Sequence, residues 1–270
     1  MILTESTDLL SFVESERQHH DLSAVVPFVN VGDLLRRGCL RNVFQPIMRV
    51  TETDARVFAY ESLARITSNG SAAGPELFFR CAEQQEKLID VELACIENTF
   101  RNSGRVPSAA RIFVNVHPHF LSAGRKLSDA LFELAMVYGV SIDRFVFEIT
   151  EQGELNDDAA TAAGIARIRE AGGAFAFDDV GIAYSHLRHL RTVRPEFFKI
   201  GQQFGTAFET DTLRRKIVRN IAALAEDLGM ETILEGVESR ATAEAAEELG
   251  IRLLQGYFFG RPESLPRTIN

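Results

Sequence analysis

Short apolar runs alternate with longer stretches of helical periodicity from about residue 42 onward in this sequence of 270 residues. Alternating β and α units over such a span favour a TIM-like (β/α)8 barrel over an open doubly wound sheet. The predicted strands are 43–50, 55–64, 111–116, 144–150, 174–178, 196–200, 231–235 and 252–258. The predicted helices are 75–87, 90–101, 126–138, 158–171, 184–190, 211–228 and 240–249.

Polar and charged residues stand where the predicted strands end. In a barrel of parallel strands these ends converge on one face, the usual place for a barrel active site. Many carboxylates in one concave site would repel one another and take up protons unless cations compensated them. The pattern therefore predicts a site for divalent metal. The residues in these positions are Glu61, Asn115, Glu148, Glu151, Asp178, Asp179, Lys199, Glu235, Glu238 and Gln255.

Each of these residues also has an ordinary explanation when it is taken alone. An acidic residue after a strand is more often a helix cap or a solvated loop residue. A single lysine such as Lys199 can lay its aliphatic stem on an apolar surface and keep its ammonium in water. The joint occurrence of polar residues at seven strand ends favours a functional site over a set of unrelated caps.

Composition limits the partners of the chain. The formal charge of −9 disfavours broad electrostatic binding to a nucleic acid polymer or to an anionic membrane. A small phosphate ligand remains compatible with this charge, because a bound metal would reverse the local field. The three cysteines form no Cys-x-x-Cys pair, which disfavours a cysteine zinc site and structural disulfides. Neither a targeting segment nor a stretch long enough for membrane insertion is visible, so we expect a cytoplasmic protein.

The chain is expected to divide near residue 41. Residues 1–40 are predicted to be a short N-terminal helical extension, in which Thr7 caps an amphipathic helix. Residues 41–265 are predicted to form the barrel domain.

Eight short motifs occur in one order along the barrel and carry a family resemblance. They resemble the motifs of the EAL-domain phosphodiesterases, which cut the bacterial second messenger cyclic di-GMP into linear pGpG. The resemblance covers roughly residues 42–262 and implies a barrel of the EAL type. The motifs are Gln45-Pro46-Ile47, Tyr60-Glu61-Ser62-Leu63-Ala64-Arg65, Val114-Asn115-Val116, Phe147-Glu148-Ile149-Thr150-Glu151, Asp178-Asp179-Val180-Gly181, Phe198-Lys199-Ile200, Glu235-Gly236-Val237-Glu238 and Gln255-Gly256-Tyr257.

The resemblance implies a centre of two Mg²⁺ or Mn²⁺ ions, for which an all-oxygen ligand set is suitable. Asp178 and Asp179 would share the second ion, and Glu235 would bind metal or act as the general base. Lys199 would orient the attacking water, and Glu151 would support the site without binding metal. The implied metal ligands are Glu61, Asn115, Glu148, Asp178, Asp179 and Glu235.

The resemblance also implies contacts to the substrate, cyclic di-GMP. Arg65 matches an arginine that binds the ligand phosphate, a task for which its planar fork of donors is suited. Gln45 and Gln255 would contact water or guanine, and Leu63 belongs to the same binding surface. A homodimer and a regulatory protein partner are further implications of the resemblance.

Two departures from the family pattern bear on activity. Gly201 stands where the family usually has an aspartate beside the metal pair, so either the site has lost a carboxylate or the backbone needs a left-handed residue there. The loop 180–187, which couples dimer contacts to metal binding in the family, is also altered. Three functions therefore stay open: an active phosphodiesterase, a receptor that binds cyclic di-GMP without useful turnover and acts through protein partners, and an interaction module that has lost the nucleotide.

Overall fold

The structure is a computed structural model, and it describes residues 30–264 except 52, 69–70, 74, 123–124, 151–154, 157 and 182–187. The helix predicted near Thr7 lies outside the described residues. Within the described part of the chain, no helix has both the length and the apolarity needed to cross a membrane.

Nine strands form one sheet, and eight of them close into a barrel. The sheet order is β1-β9-β8-β7-β6-β5-β4-β2-β3, and an additional pairing of β1 with β2 closes the ring. The predicted TIM-like barrel is therefore confirmed, with β3 as a short addition to β2. The strands are β1 (Leu40–Thr51), β2 (Asp54–Ser68), β3 (Ser71–Ala73), β4 (Arg111–Val116), β5 (Phe145–Ile149), β6 (Ala174–Val180), β7 (Phe197–Ile200), β8 (Glu231–Leu234) and β9 (Leu253–Gln255).

The direction of β1 differs from the expectation of an all-parallel barrel. The neighbours from β2 through β4 to β9 pair in parallel, whereas β1 pairs with β9 in the antiparallel direction. The physical reason is the connection, because β1 ends at Thr51 and β2 begins at Asp54, and so short a link joins antiparallel strands. The first residues of β1 therefore lie at the barrel end where the other strands finish, with Ile47 opposite Gln255.

Helices follow most of the strands, close to their predicted positions. Side-chain caps start four of the described helices: Asn30 accepts from the Asp33 amide, and Asp158 accepts from the Thr161 amide. Asp211 accepts from the Leu213 amide, and Ser239 from the Thr242 amide. The predicted helix 184–190 lies mostly outside the described residues. The helices are α1 (Val31–Arg36), α2 (Glu76–Gln84), α3 (Leu88–Asn102), α4 (Pro118–Ser122), α5 (Arg125–Tyr138), α6 (Ala159–Glu170), α7 (Leu190–Val193), α8 (Gln202–Gly205), α9 (Thr212–Asp227) and α10 (Arg240–Glu248).

The described residues form two compact units. The smaller unit comprises 30–43 and 64–99, and the larger comprises 44–63 and 100–264. The smaller unit has its own apolar core, in which Val31, Leu40, Ile66, Phe78 and Val91 are buried together. Its three cysteines are free thiols. The boundary predicted near residue 41 stays a prediction, because the extension before it lies largely outside the described residues.

The interior of the larger unit is filled by one layer of apolar side chains. The rings of Phe58, Phe113 and Phe197 lie within 5.3 to 6.5 Å of one another, centroid to centroid. Such close packing gives the residues above this layer a rigid floor. We call it the apolar layer; it contains Ile47, Ala59, Phe113, Val146, Ala176, Phe197, Ile233 and Leu253.

Candidate active site

A second layer of side chains, all of them polar, stands directly above the apolar layer. Successive side chains of a strand alternate between its two faces, so a residue two positions along from a barrel-facing residue also faces the interior. Each member of the apolar layer is followed two positions later by a polar residue, and in the reversed strand β1 the polar residue comes two positions earlier. We call this set the polar layer; it comprises Gln45, Glu61, Asn115, Glu148, Asp178, Lys199, Glu235 and Gln255.

Lys199 occupies the centre of the polar layer. Its ammonium Nζ lies 2.7 Å from Glu235 Oε1 and 2.9 Å from Glu148 Oε1. It lies 3.4 Å from both Glu61 Oε2 and Asp178 Oδ1. The lysine side chain is only 1% exposed and that of Glu148 is fully buried, so these charges are held away from water. Lys199 is thus no surface lysine, and four carboxylates share one internal cation.

The balance of burial and charge sets the pKa of each group. Burial disfavours the charged form of Lys199, but the four acids outweigh it and raise the lysine pKa well above its usual range. Burial, together with the negative charge of Glu61, raises the pKa of Glu148. Burial is likewise the first cause that raises the pKa of Glu235 to about 8, with added repulsion from Asp178. One lysine therefore does not neutralise the whole acidic group.

Glu61 behaves differently because two amides hold its carboxylate. Asn115 donates from Nδ2 to Glu61 Oε1 at 3.0 Å, and Gln255 donates from Nε2 to Glu61 Oε2 at 2.7 Å. Burial raises the pKa of Glu61, but Lys199 and these two hydrogen bonds outweigh it, and the pKa falls below its ordinary value. Glu61 is therefore held as a carboxylate, in contrast to Glu148 and Glu235.

Gln45, in the middle of β1, completes this side of the site. Its Oε1 accepts from Gln255 Nε2 at 3.3 Å, and its Nε2 donates to the Gly260 carbonyl at 3.2 Å. Because β1 runs in the reverse direction, the residue two positions before Ile47 lies at the end of the barrel where Gln255 lies.

An irregularity in β6 brings two consecutive acids toward β7. The pairing of β6 with β7 shifts register between Phe177 and Val180, and Asp179 has a left-handed backbone with φ of 50°. A bulge of this kind re-aims a side chain that would otherwise face away. Asp178 lies 3.4 Å from the Lys199 ammonium, while the Asp179 carboxylate lies beside Gly201 in the chain that follows β7. The Asp179 amide donates to Asp178 Oδ1 at 3.0 Å.

The polar layer fits a hard divalent cation by its chemistry, although its side chains are gathered around Lys199. Among the described residues, no group of three His, Cys, Asp or Glu side chains stands in metal-ligand geometry. Both carboxylate oxygens of Glu148 are nevertheless buried, and the Lys199 ammonium, 2.9 Å from Oε1, is the one hydrogen-bond donor that the described residues bring to them. Buried carboxylate oxygens in an all-oxygen set are the ligands that Mg²⁺ and Mn²⁺ prefer. The individual metal ligands stay a prediction.

Three other predicted site residues are not members of the polar layer. Leu63 is half-buried in β2, two positions after Glu61. Arg65 belongs to the smaller compact unit, and its guanidinium donates to the Ala64 carbonyl at 2.8 Å. Glu151 and most of the loop 180–187 lie outside the described residues.

Two glycines around α8 have a role that the sequence pattern did not indicate. Gly201 has φ of −60°, so a need for left-handed backbone is not the reason for glycine there. A Cβ at Gly201 would instead stand 2.0 Å from Asp179 Oδ1. A Cβ at Gly205 would stand 1.7 Å from the Glu235 carbonyl oxygen. Both glycines therefore permit close approach, a property that only spatial neighbours reveal.

The sequence matches the EAL domain family over residues 30–262. It is 27% identical over 208 residues to the probable cyclic di-GMP phosphodiesterase PdeA of Escherichia coli, across 76% of this chain and 28% of that protein. It is 30% identical over 164 residues to the cyclic di-GMP phosphodiesterase RocR of Pseudomonas aeruginosa, across 61% of this chain and 42% of that protein. The chain thus spans well under half the length of these relatives.

Solved structures agree with the family match. The PaMucR phosphodiesterase in its c-di-GMP complex superimposes with a TM-score of 0.76 at 24% identity, covering 86% of this chain and 95% of that one. The Klebsiella pneumoniae BlrP1 complex with calcium and cy-diGMP superimposes with a TM-score of 0.72 at 25% identity, covering 83% and 56%. Barrel topology, polar layer and family match agree, and the chain belongs to the EAL domain family.

Proposed function

We propose that this chain is a metal-dependent phosphodiesterase that hydrolyses cyclic di-GMP to linear pGpG. The observation that carries the proposal is the polar layer, in which four carboxylates surround Lys199 and three amide side chains complete the ring above a packed apolar floor. The cyclic di-GMP phosphodiesterases among the relatives support the choice of substrate.

We assign the cofactor as two Mg²⁺ or Mn²⁺ ions. When bound, such ions supply Lewis-acid activation of water and balance negative charge on the phosphodiester. The buried Glu148 carboxylate, to which Lys199 is the one donor among the described residues, supports this assignment. A related structure is a complex with manganese and cy-diGMP. The residues that we propose to hold the ions are Glu61, Asn115, Glu148, Asp178, Asp179 and Glu235.

Lys199 and Glu235 are the proposed groups that act on the reacting atoms. Hydrolysis forms one bond from a water oxygen to phosphorus and breaks one phosphorus–oxygen bond to a ribose. Lys199 would orient the water and offset charge on the phosphoryl group in the transition state. Glu235 has two alternative roles: it would bind one of the ions, or it would accept the water proton as the general base. The departing ribose oxygen takes a proton from solvent.

Substrate binding is assigned to the remaining predicted residues. Gln45 and Gln255, which are hydrogen-bonded to each other, would contact guanine or water at the edge of the polar layer. Arg65 would bind a ligand phosphate, Leu63 would add apolar contact, and Glu151 would support the metal site from outside the described residues. A homodimer and a regulatory protein partner stay predictions of the family resemblance.

We propose the cytoplasm as the location, because three free thiols suit a reducing compartment.

A receptor that binds cyclic di-GMP without turnover is the second candidate. Gly201 favours it, since the position expected to carry a carboxylate beside the metal pair carries none. The absence of a carboxylate at position 201 is expected to lower activity, although every residue of the polar layer is present.

One experiment separates the two candidates. The chain is incubated with cyclic di-GMP in Mn²⁺ and, in parallel, in EDTA, and the nucleotides are resolved by chromatography while binding is followed by calorimetry. Linear pGpG that forms only with Mn²⁺ supports the enzyme. Saturable binding without product supports the receptor, and the absence of both rejects the two candidates together.

A further inference from the structure

We propose that Gly201 is a positioning residue for Asp179: because it carries no side chain, the Asp179 carboxylate can lie across the start of α8 at the edge of the polar layer. This inference rests on the proposed function, in which Asp179 helps to hold the second metal ion. It gives the glycine an active part in the site rather than the role of a defect.

The first observation is the space that the missing side chain leaves. A Cβ on Gly201 would stand 2.0 Å from Asp179 Oδ1, far inside van der Waals contact. It would also stand 2.8 Å from Gln203 Nε2 and 2.9 Å from Gln203 Oε1. The Asp179 carboxylate and the Gln203 amide thus converge on the volume that any larger residue would fill. Gly201 itself is buried, so the crowded volume is not open to solvent.

The second observation is that α8 cannot readily move away to make room. At its other end a Cβ on Gly205 would stand 1.7 Å from the Glu235 carbonyl oxygen, so the helix backbone packs directly on the end of β8. The guanidinium of Arg214 donates to the Thr206 carbonyl at 2.7 Å just after the helix. A side chain at position 201 would therefore be accommodated by displacement of Asp179 rather than of the helix.

The third observation concerns the backbone of Asp179. Its φ of 50° places it in the left-handed region, which aspartate tolerates better than most residues. This conformation, within the β6 irregularity, sends the side chain toward Gly201 while Asp178 faces Lys199. The two adjacent acids can serve one site only if Asp179 has this space, and glycine at 201 provides it.

The test is a double-mutant cycle that joins position 201 to position 179. Gly201→Ala adds the Cβ and no charge, and Asp179→Gly removes the carboxylate while suiting a positive φ. Gly104→Ala is the matched control, because a Cβ there meets nothing within 4 Å. The readouts are Mn²⁺ affinity by calorimetry and the melting temperature in EDTA, which needs neither metal nor substrate.

We expect Gly201→Ala to weaken Mn²⁺ binding about 10-fold in the natural sequence, as loss of a residue that orients a metal ligand does. We expect it to change affinity less than about 2-fold in the Asp179→Gly background, because the added Cβ then has no carboxylate to displace and two residues in contact are not additive. In EDTA, Gly201→Ala should lower the melting temperature of the natural sequence, and Asp179→Gly should relieve that loss.

Equal losses in both backgrounds would overturn the proposal, because the Cβ would then act through something other than Asp179. An unchanged melting temperature and affinity after Gly201→Ala would overturn it as well.

Failure of the proposed phosphodiesterase function gives results that differ from a failure of this proposal. A chain that binds Mn²⁺ but yields no pGpG loses the phosphodiesterase assignment while the coupling can still be measured. If the chain binds no Mn²⁺, the coupling between positions 201 and 179 is still measured by the melting temperatures in EDTA.

Discussion

At the scale of single residues, Lys199 is the group on which the site depends. Its ammonium is almost completely buried and lies within 3.4 Å of four carboxylates, none of which has another cation in the salt bridges of the described residues. A buried charge without a partner costs several kcal/mol, so lysine and acids stabilise one another only as a group. Loss of any one member is expected to be felt by the rest.

We predict that Lys199→Met lowers the rate of pGpG formation by about 100-fold or more, because the positive charge acts on the transition state. Turnover and KM are measured separately for the variant. Lys87→Met is the control, since Lys87 pairs with Asp90 at the surface, where 41% of its side chain is exposed. A variant whose KM alone changes would make Lys199 a binding residue and not a catalytic one.

Protonation of Glu235 predicts how stability depends on pH when metal is absent. Its pKa is about 8 in the folded protein, against an ordinary value of 4.5. Between these two pKa values Glu235 therefore keeps its proton in the folded state and releases it in the unfolded chain. The stability of the protein should fall as pH rises from 5 to 8. Glu148, whose pKa is also raised, acts in the same direction. The pKa of Glu61 is lowered instead, so this group affects stability only at pH values below the ordinary pKa of a glutamate.

The measurement is the melting temperature in EDTA between about pH 5 and pH 9, compared with that of Glu235→Gln, which cannot titrate. The natural sequence should lose more stability than the variant as pH rises. Added Mn²⁺ should stabilise the protein increasingly over the same range, because it requires deprotonated ligands. Parallel curves for the two proteins would show that Glu235 is not protonated in the folded state.

At the scale of strands and helices, the barrel holds the site through two stacked layers. The apolar layer fixes the height and direction of every strand, and the polar layer follows from it by the two-residue period. A substitution in the apolar layer should therefore disturb the polar layer by changing the packing beneath it rather than by changing its charge.

We predict that Phe113→Ala lowers the free energy of unfolding by about 3–5 kcal/mol, because it leaves a cavity in the apolar layer. The Phe113 ring is fully buried and packs against Phe58 and Phe197. Urea titration measures the loss, and Val137→Ala, at a residue 74% exposed, should change it little. A small loss for Phe113→Ala would mean that the barrel interior repacks without a cavity.

The apolar runs predicted all eight barrel strands to within a few residues, because a buried strand leaves a strong local pattern. The direction of β1 was not predicted, since only the short link from Thr51 to Asp54 determines it. The short helices α1, α4 and α8 were missed because four to six residues contain too few periodic positions. The convergence of the polar residues followed from strand order, whereas the close approach of Asp179 to Gly201 depends on a bulge that no local pattern marks.

At the scale of the whole molecule, the charge of the chain suits the proposed metal site. The chain carries a formal charge of −9, and the buried acids Glu61 and Glu148 lie together in the polar layer. Divalent ions would compensate those acids and attract a phosphodiester that the bare site would repel. The relatives PdeA and RocR are much longer than this chain, so more than half of each has no counterpart among the residues matched here.

We predict that Glu61→Ala abolishes hydrolysis and leaves the barrel folded, because Glu61 lies above the packed layer and not within it. Asn115→Ala should do the same, since it removes both a proposed ligand and the hydrogen bond to Glu61. Circular dichroism checks the fold of each variant. Normal product formation by either variant would contradict the metal assignment.

The most direct measurement is the time course of linear pGpG from cyclic di-GMP in Mn²⁺, run side by side for the natural sequence, Glu61→Ala and Glu226→Ala. Glu226 is an exposed acid near the end of α9 and serves as the matched control. We expect equal rates for the natural sequence and Glu226→Ala, and no product from Glu61→Ala. Intact cyclic di-GMP in all three reactions, or equal product in all three, would contradict this expectation.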